Sequence, residues 1–401
     1  MAARVEVVHF TNHAGRPQRL FEPLGPPRAY ALFAHCFTCS KQSKAATEIS
    51  RKLAQQGFAV LRFDFAGLGG SEGDFAATNF SSNVDDLVAA AAHLGKHFES
   101  PRLLVGHSLG GTAVLAAAQR IEGVEAVCTI GAPADPAHVK TVIHGSVNAL
   151  EREGEAEVDI GGRTFTMRKQ FLDDISNSKM DLEALRTPLL IMHSPVDRIV
   201  GIENAETIYK RAGGFRSFFS LDDADHLLTS KEDTAYVASI LATWAARYVR
   251  MREHAAPDFR EEGEVIVEEW ERPYTNRVFA RHHTLYADEP TKSGGLDAGL
   301  NPYEFLLAAL GSCTSMTLRM YAARKEWPLE KVTVRLQHQK IHAEDCADCE
   351  TKEGKVDEIR KTIEIEGDLS NDQRKRLREI AEKCPVNRTL LSEIHIVQEA
   401  P

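Results

Sequence analysis

The stretch that most constrains this chain is Leu103-Leu104-Val105-Gly106-His107-Ser108-Leu109-Gly110-Gly111, followed by small residues over 112–118. An apolar β-type run enters Gly-His-Ser-Leu-Gly, and a helix-forming segment leaves it. A G-x-S-x-G between strand and helix sets its serine on a sharp, strained turn with the hydroxyl exposed. Gly106 and Gly110 let neighbouring backbone approach where a Cβ would clash.

The flanking sequence supplies a layered setting for that turn. Residues 4–10 and 29–34 read as strands, and an amphipathic helix over about 42–56 stops at Gly57. A buried strand at 58–63 and a helix around 81–98 precede the serine turn. Strands at 126–130, 188–192 and 217–221 follow, and a helix over about 232–252 closes the series. Short apolar strands alternating with helices predict an α/β fold: a doubly wound, mainly parallel sheet covered on both faces. The span from 133 to 186 is too long for a simple strand–helix unit. It reads as a small cap over the site mouth, with a polar helical segment at 135–152 and a hairpin at 157–166 turning at Gly161-Gly162.

A chain of 401 residues exceeds one ordinary domain, and 43% hydrophobic residues suffice for real cores. A net charge of -10 argues against nucleic acid or an anionic membrane as the main partner, since both demand a basic face. No apolar run reaches the roughly 18 residues of a membrane span, and the N-terminal residues lack an apolar signal core. A soluble cytoplasmic protein is expected. Seven cysteines, an odd number over a long chain, do not form a secreted disulfide framework. Cysteines at special positions are then catalytic, metal-binding or buried.

Two further loops complete the serine site. Asp197 follows the strand at 188–192, and His226 follows the strand at 217–221. A serine hydroxyl is a weak nucleophile, so His226 would take its proton while Asp197 holds the imidazole in its tautomer. Ser108, Asp197 and His226, in that chain order and at strand ends, resemble the α/β-hydrolase family over residues 1–250. The resemblance implies cleavage of a small acyl ester or thioester through an acyl-enzyme, with no cofactor. Asp222, Asp223 and Asp225 flank the histidine instead of occupying the acid loop, and His107 and His193 read as packing or loop residues. The oxyanion hole needs two backbone N–H donors, expected from Leu109 and, after His35-Cys36, from Phe37. Family members often carry glycine where Cys36 stands. Cys36 and Cys39 form a C-x-x-C without the surroundings of a thioredoxin-like motif. Asp64 and the glycines after it read as structural.

Residues 251–262 lose hydrophobic periodicity and mark a linker. A second domain, 263–401, begins with strands at 265–270 and 278–286. A long, central, buried helix at about 302–325 follows, then strands at 331–342 and 358–366, a charged helix at 370–383 and a last strand at 394–398. Asn301-Pro302-Tyr303-Glu304, with Cys313 further along that helix and Cys384-Pro385-Val386-Asn387-Arg388 much later, resembles the OsmC/organic hydroperoxide resistance family. That resemblance implies an α+β fold and an intertwined homodimer. It also implies reduction of an organic hydroperoxide by Cys313, with Cys384 resolving and an external dithiol as reductant. Glu304 is the candidate for the family's glutamate near the thiol. Arg272, Arg277 and Arg281 are the candidates for its arginine, and Asn387 stands where relatives usually have histidine. His338, His342, Cys346 and Cys349 are metal-type residues, but they lie at a strand end and in an acidic loop. They read as a solvated hairpin, so no metal is expected. The whole is a bifunctional chain; the alternative is a hydrolase dimerised by a catalytically weak OsmC-like module that serves assembly or binding.

Overall fold

The computed structural model describes residues 4–9, 17–22, 26–36, 43–68, 74–160, 163–252, 257–271, 273–345 and 353–398. The chain divides into two compact units, Met1–Arg260 and Glu261–Pro401.

The strands of the first unit are β1 (Arg4–His9), β2 (Pro17–Glu22), β3 (Ala29–Ala34), β4 (Phe58–Arg62), β5 (Leu103–His107), β6 (Ala126–Ile130), β7 (Glu155–Ile160), β8 (Arg163–Arg168), β9 (Leu189–His193) and β10 (Arg216–Ser220). Eight of them form one sheet in the order β1-β2-β4-β3-β5-β6-β9-β10. It is parallel from β4 through β10 and antiparallel at the β1–β2 and β2–β4 pairs. The α/β expectation therefore holds, with β2 an addition that the polar stretch Pro-Gln-Arg-Leu-Phe-Glu does not advertise.

The helices are α1 (Lys44–Gln55), α2 (Phe80–His97), α3 (Leu109–Ala117), α4 (Val139–Val142), α5 (His144–Glu153), α6 (Lys169–Asn177), α7 (Glu203–Arg211) and α8 (Lys231–Tyr248). Alternation along β3 assigns the two cores. Ala29, Ala31 and Phe33 face α1 and α8, whereas Tyr30, Leu32 and Ala34 face α2 and α3. Buried on both sides, β3 to β6 and β9 carry nearly continuous apolar runs. Helix ends follow local chemistry. Ser43 accepts from the Ala46 N–H to start α1, and Asn79 and Ser82 form a reciprocal capping box on α2.

The insertion between β6 and β9 holds α4, α5, the β7–β8 hairpin and α6. It is tied down by ring contact between Phe75 and Phe165, 4.9 Å between centroids, and by Asp174, which accepts from both the Ser81 N–H and hydroxyl. His138 reaches the Ile199 carbonyl at 3.0 Å, joining the insertion to the loop that carries Asp197. The hairpin register runs from Glu155 opposite Arg168 to Ile160 opposite Arg163; Gly161 and Gly162 lie outside the described residues.

The second unit comprises β11 (Val265–Glu271), β12 (Thr275–Ala280), β13 (His283–Ala287), α9 (Pro302–Arg324), β14 (Leu329–His342), β15 (Lys355–Gly367), α10 (Asn371–Ala381) and α11 (Pro385–Leu390). Three expectations are corrected here. The single strand expected over 278–286 is split into β12 and β13, because Arg281 turns the chain with φ +55. Helix α9 is not buried all round: Leu310, Thr314, Leu318 and Ala322 form one narrow inward stripe, while Met316 and Met320 are exposed. The segment expected as a last strand, 394–398, forms none, and Ile394, Ile396 and Val397 are exposed.

Candidate active site

Ser108 joins β5 to α3 at φ 55, ψ -129, a region that costs a non-glycine residue about 1–3 kcal/mol. Its surroundings hold it there. The Ser108 N–H donates to the Ile130 carbonyl and the Ser108 carbonyl accepts from the Gly111 N–H, both at 2.8 Å. A Cβ on Gly106 would stand 2.3 Å from the Gly110 oxygen, and one on Gly110 would stand 2.4 Å from the His35 oxygen. Only glycine permits this approach at either position.

Parallel strands bring the other residues to the same sheet edge. Ser108 follows β5, Asp197 lies in the loop after β9, and His226 lies in the loop after β10. His226 Nε2 is 3.0 Å from Ser108 Oγ, and His226 Nδ1 is 2.7 Å from Asp197 Oδ2. The other oxygen of Asp197 accepts from the N–H groups of Ile199 and Val200, at 2.8 and 3.0 Å. Ser108, Asp197 and His226 are thus one continuous hydrogen-bonded series. Asp225 is turned away, capping its own turn through the N–H groups of Leu227 and Thr229. Asp222 and Asp223 are exposed.

Burial pushes the Asp197 carboxyl upward. The hydrogen bond and charge of His226, with the Val200 and Ile199 N–H groups, outweigh this and hold it below the usual value. The result is a buried carboxylate beside the imidazole. Two more histidines border the series. Burial, reinforced by His226, lowers His107 to about 4. Burial also lowers His193, against the opposing pull of the Val200 carbonyl and Asp197. Both are neutral at pH 7. The sequence treats them as packing or loop residues. The structure gives their rings hydrogen bonds to the carbonyls of His226 and Val200. Their place at the ends of β5 and β9 was the available signal.

Leu109 is buried in the first turn of α3, where helix geometry leaves its N–H without an intrahelical acceptor. Phe37, the second expected oxyanion donor, lies outside the described residues, as does Cys39.

In the second unit, Cys313 is half-buried on α9 and Cys384 is buried at the N-cap of α11; both are free thiols. Cys384 Sγ is 3.5 Å from the hydroxyl of Thr314, the neighbour of Cys313, and 3.4 Å from the Asn387 nitrogen. Glu304 lies elsewhere. Its carboxylate accepts the Asn301 N–H at 2.9 Å, closing a capping box. Nine residues separate it from Cys313, roughly 13 Å of rise and half a turn of rotation. Within one chain, then, Glu304 serves the helix end and does not adjoin the thiol. Arg277 is buried against the Trp270 ring at 3.5 Å and paired with Glu268 at 2.6 Å. Arg281 sits in the exposed β12–β13 turn, and Arg272 lies outside the described residues. Among the described residues, no hydrogen bond joins Arg277 or Arg281 to either thiol. His338 bonds Asp357 at 2.8 Å and stacks on Tyr303. His342 stands opposite Lys355, and Cys346 and Cys349 lie outside the described residues. No helix among the described residues is long and apolar enough to cross a membrane.

Comparison with known proteins places both units. Residues 25–152 match the family model of serine aminopeptidase, S33, and residues 294–399 match that of OsmC-like protein. The solved esterase domain of a Rhodothermus marinus protein is 48% identical, with a TM-score of 0.50, over 61% of this chain and 99% of that one. Mouse alpha/beta hydrolase domain-containing protein 10 shares the fold at 20% identity and a TM-score of 0.50, over 61% of this chain and 99% of its own. The curated mouse palmitoyl-protein thioesterase ABHD10, mitochondrial, is 28% identical over 38% of this chain and 49% of the relative. The uncharacterized protein YfhR of Salmonella typhi is 22% identical over 50% of this chain and 66% of its own. The chain thus spans about half to two thirds of the length of these curated relatives. By the strand–Ser108–helix geometry and these likenesses, the chain belongs to the α/β-hydrolase family through its first unit and carries an OsmC-like domain in its second.

Proposed function

We propose that the first unit cleaves a carboxylic ester or thioester by nucleophilic catalysis at Ser108. The carrying observation is the unbroken series Ser108 Oγ, His226, Asp197 at 3.0 and 2.7 Å. His226 Nε2 removes the hydroxyl proton as Oγ attacks the acyl carbon. Asp197 stabilises the imidazolium, and the proton passes to the leaving alcohol or thiol. Water then attacks the acyl-enzyme by the same route. The Leu109 N–H, joined by that of Phe37, stabilises the oxyanion. Ester cleavage accords with the esterase named in the 48% identical structure. Turnover of p-nitrophenyl acyl esters and acyl thioesters by the full chain, compared with Ser108→Ala, tests the reading. Activity that survives the substitution removes it.

The second unit is proposed to reduce organic hydroperoxides as a homodimer. The Cys313 thiolate attacks the distal peroxide oxygen and the O–O bond breaks. An alcohol leaves once protonated, and Cys313 becomes a sulfenic acid. The Cys384 thiol condenses with it, releasing water and forming a disulfide that an external dithiol reduces. Support comes from the contact of Cys384 with Thr314, one residue from Cys313. Exposed Met316, Met320 and Ile396 supply apolar surface for a second copy. The engagement of Glu304 in the helix cap favours the second reading, an OsmC-like module that mainly assembles the hydrolase. Peroxide consumption with dithiothreitol, lost in Cys313→Ser, supports the first. A dimer by light scattering whose thiols resist cumene hydroperoxide supports the second.

A further inference from the structure

We propose that His107 and His193, which stand outside the Ser108–His226–Asp197 series, are positioning residues that hold the base and the acid in register through the backbone. The proposal rests on the hydrolase reading for its kinetic arm and on geometry for the rest.

His107 ends β5 and His193 ends β9, the two strands that flank β6. Each ring reaches into a loop that carries one of the acting residues. His107 Nε2 is 2.7 Å from the carbonyl of His226 itself. His193 Nε2 is 2.8 Å from the carbonyl of Val200. A carbonyl only accepts, so both Nε2 atoms carry hydrogen and donate it. Both rings are buried, at 3% and 0% exposure. Among the described residues, buried His193 Nδ1 has no hydrogen-bond partner, so a second proton there would be an unsatisfied donor. The His193 ring is therefore a neutral donor with one fixed direction.

What the two donors hold is specific. The carbonyl that receives His107 belongs to the residue whose ring must span Ser108 and Asp197 together. The loop around it includes two non-glycine residues at positive φ, Asp222 at 45 and Leu228 at 52. Such a loop relaxes unless it is restrained. Val200, which receives His193, also presents its own N–H to Asp197 Oδ1 at 3.0 Å. Releasing the Val200 carbonyl frees that N–H to swing away from the acid. His193 Nε2 lies 3.8 Å from Asp197 Oδ2, beyond hydrogen-bond range, so its action passes through Val200. A misplacement on the order of 1 Å in such a site costs up to about 100-fold in rate.

The test substitutes each histidine by phenylalanine, which keeps a ring and removes the donor, and by glutamine, whose amide places an N–H near the Nε2 position. In the full chain, His107→Phe and His193→Phe are expected to lower kcat about 10- to 100-fold with KM within about twofold. The glutamine variants should recover most of that loss. The low-field proton resonance of the His226–Asp197 hydrogen bond, assigned by its loss in Asp197→Ala, reads positioning without substrate. It should weaken in the phenylalanine variants and persist in the glutamine ones. A phenylalanine variant that retains kcat and the resonance overturns the proposal. So does a glutamine variant that melts like the parent and loses both. Should phenylalanine prevent folding, the glutamine variant alone decides by the same criteria. Equal ester turnover in the parent and Ser108→Ala removes the hydrolase reading instead, while the resonance still reports on the two histidines.

Discussion

His226 Nδ1 and Asp197 Oδ2 lie 2.7 Å apart although 29 residues separate them, and the two side chains are 8% and 2% exposed. Two loops must arrive at the same sheet edge for this bond to form. Adjacent parallel strands β9 and β10 deliver them, with Leu189 to His193 paired to Arg216 to Ser220. The bond orients the imidazole so that its other nitrogen faces Ser108. Asp197→Asn keeps the size and reverses the hydrogen-bonding preference, which disturbs that tautomer. Steady-state kinetics should show kcat lower by roughly 10³- to 10⁴-fold with an unchanged circular dichroism spectrum. A loss below tenfold would show that Asp197 does not set the tautomer.

The elbow predicts a stability effect of its own. Gly106→Ala places a methyl 2.3 Å from the Gly110 oxygen, a backbone atom fixed by the first turn of α3. Overpacking of this kind costs about 1–3 kcal/mol or more. Thermal unfolding of the first unit should shift downward by several degrees, about 2–4 °C per kcal/mol for a domain of this size. An unchanged transition would mean that the turn yields more readily than its packing implies.

What the sequence discloses, and what it conceals, divides along physical lines. Ser108, Asp197 and His226 are legible because buried strands leave apolar runs, and loops after those runs share one sheet edge. β2 is concealed because its six residues carry no apolar alternation, and its pairing with β4, about 40 residues later, is non-local. The β12–β13 turn is concealed because Arg281 takes a left-handed φ without glycine or proline to announce it. Glu304 shares a helix with Cys313, but 3.6 residues per turn carries it to the opposite side. The exposed face of α9 is hidden in a sequence that reads as apolar nearly all round. The hydrogen bonds of His107 and His193 end on backbone carbonyls, to which residue types give no clue.

Acid sensitivity follows from the same buried groups. His107 is held near 4 against an ordinary 6.5, so between those values the unfolded chain binds a proton that the native chain refuses. Stability from this group is complete above about pH 6.5 and falls as pH drops toward 4, by about 3 kcal/mol in all. His193, also lowered, acts in the same direction. The depressed Asp197 carboxyl contributes stability above its ordinary 3.8 that is lost as pH falls further, through its folded value. Urea unfolding at pH 7 and pH 4.5 should show the first unit weaker at the lower pH. His107→Gln, which cannot take up that proton, should reduce the difference. An identical pH dependence in the variant would contradict the origin assigned to it.

The thiols of the second unit predict a trapped intermediate. In Cys384→Ser, cumene hydroperoxide should leave a sulfenic acid at Cys313 that dimedone captures, seen as a single adduct on that residue by peptide mass spectrometry. The parent should form the Cys313–Cys384 disulfide instead. Absence of both products would leave the module an assembly element.

In the proposed hydrolysis, Ser108 carries the acyl group as an acyl-enzyme. Pre-steady-state release of p-nitrophenol from a slowly deacylated ester measures this most directly, with the acyl adduct located by intact-protein and peptide mass spectrometry. The expected result is a burst of one equivalent per chain and an acyl group on Ser108, both absent in Ser108→Ala. A burst or adduct that persists in the alanine variant, or an acyl group carried by another residue, would contradict it.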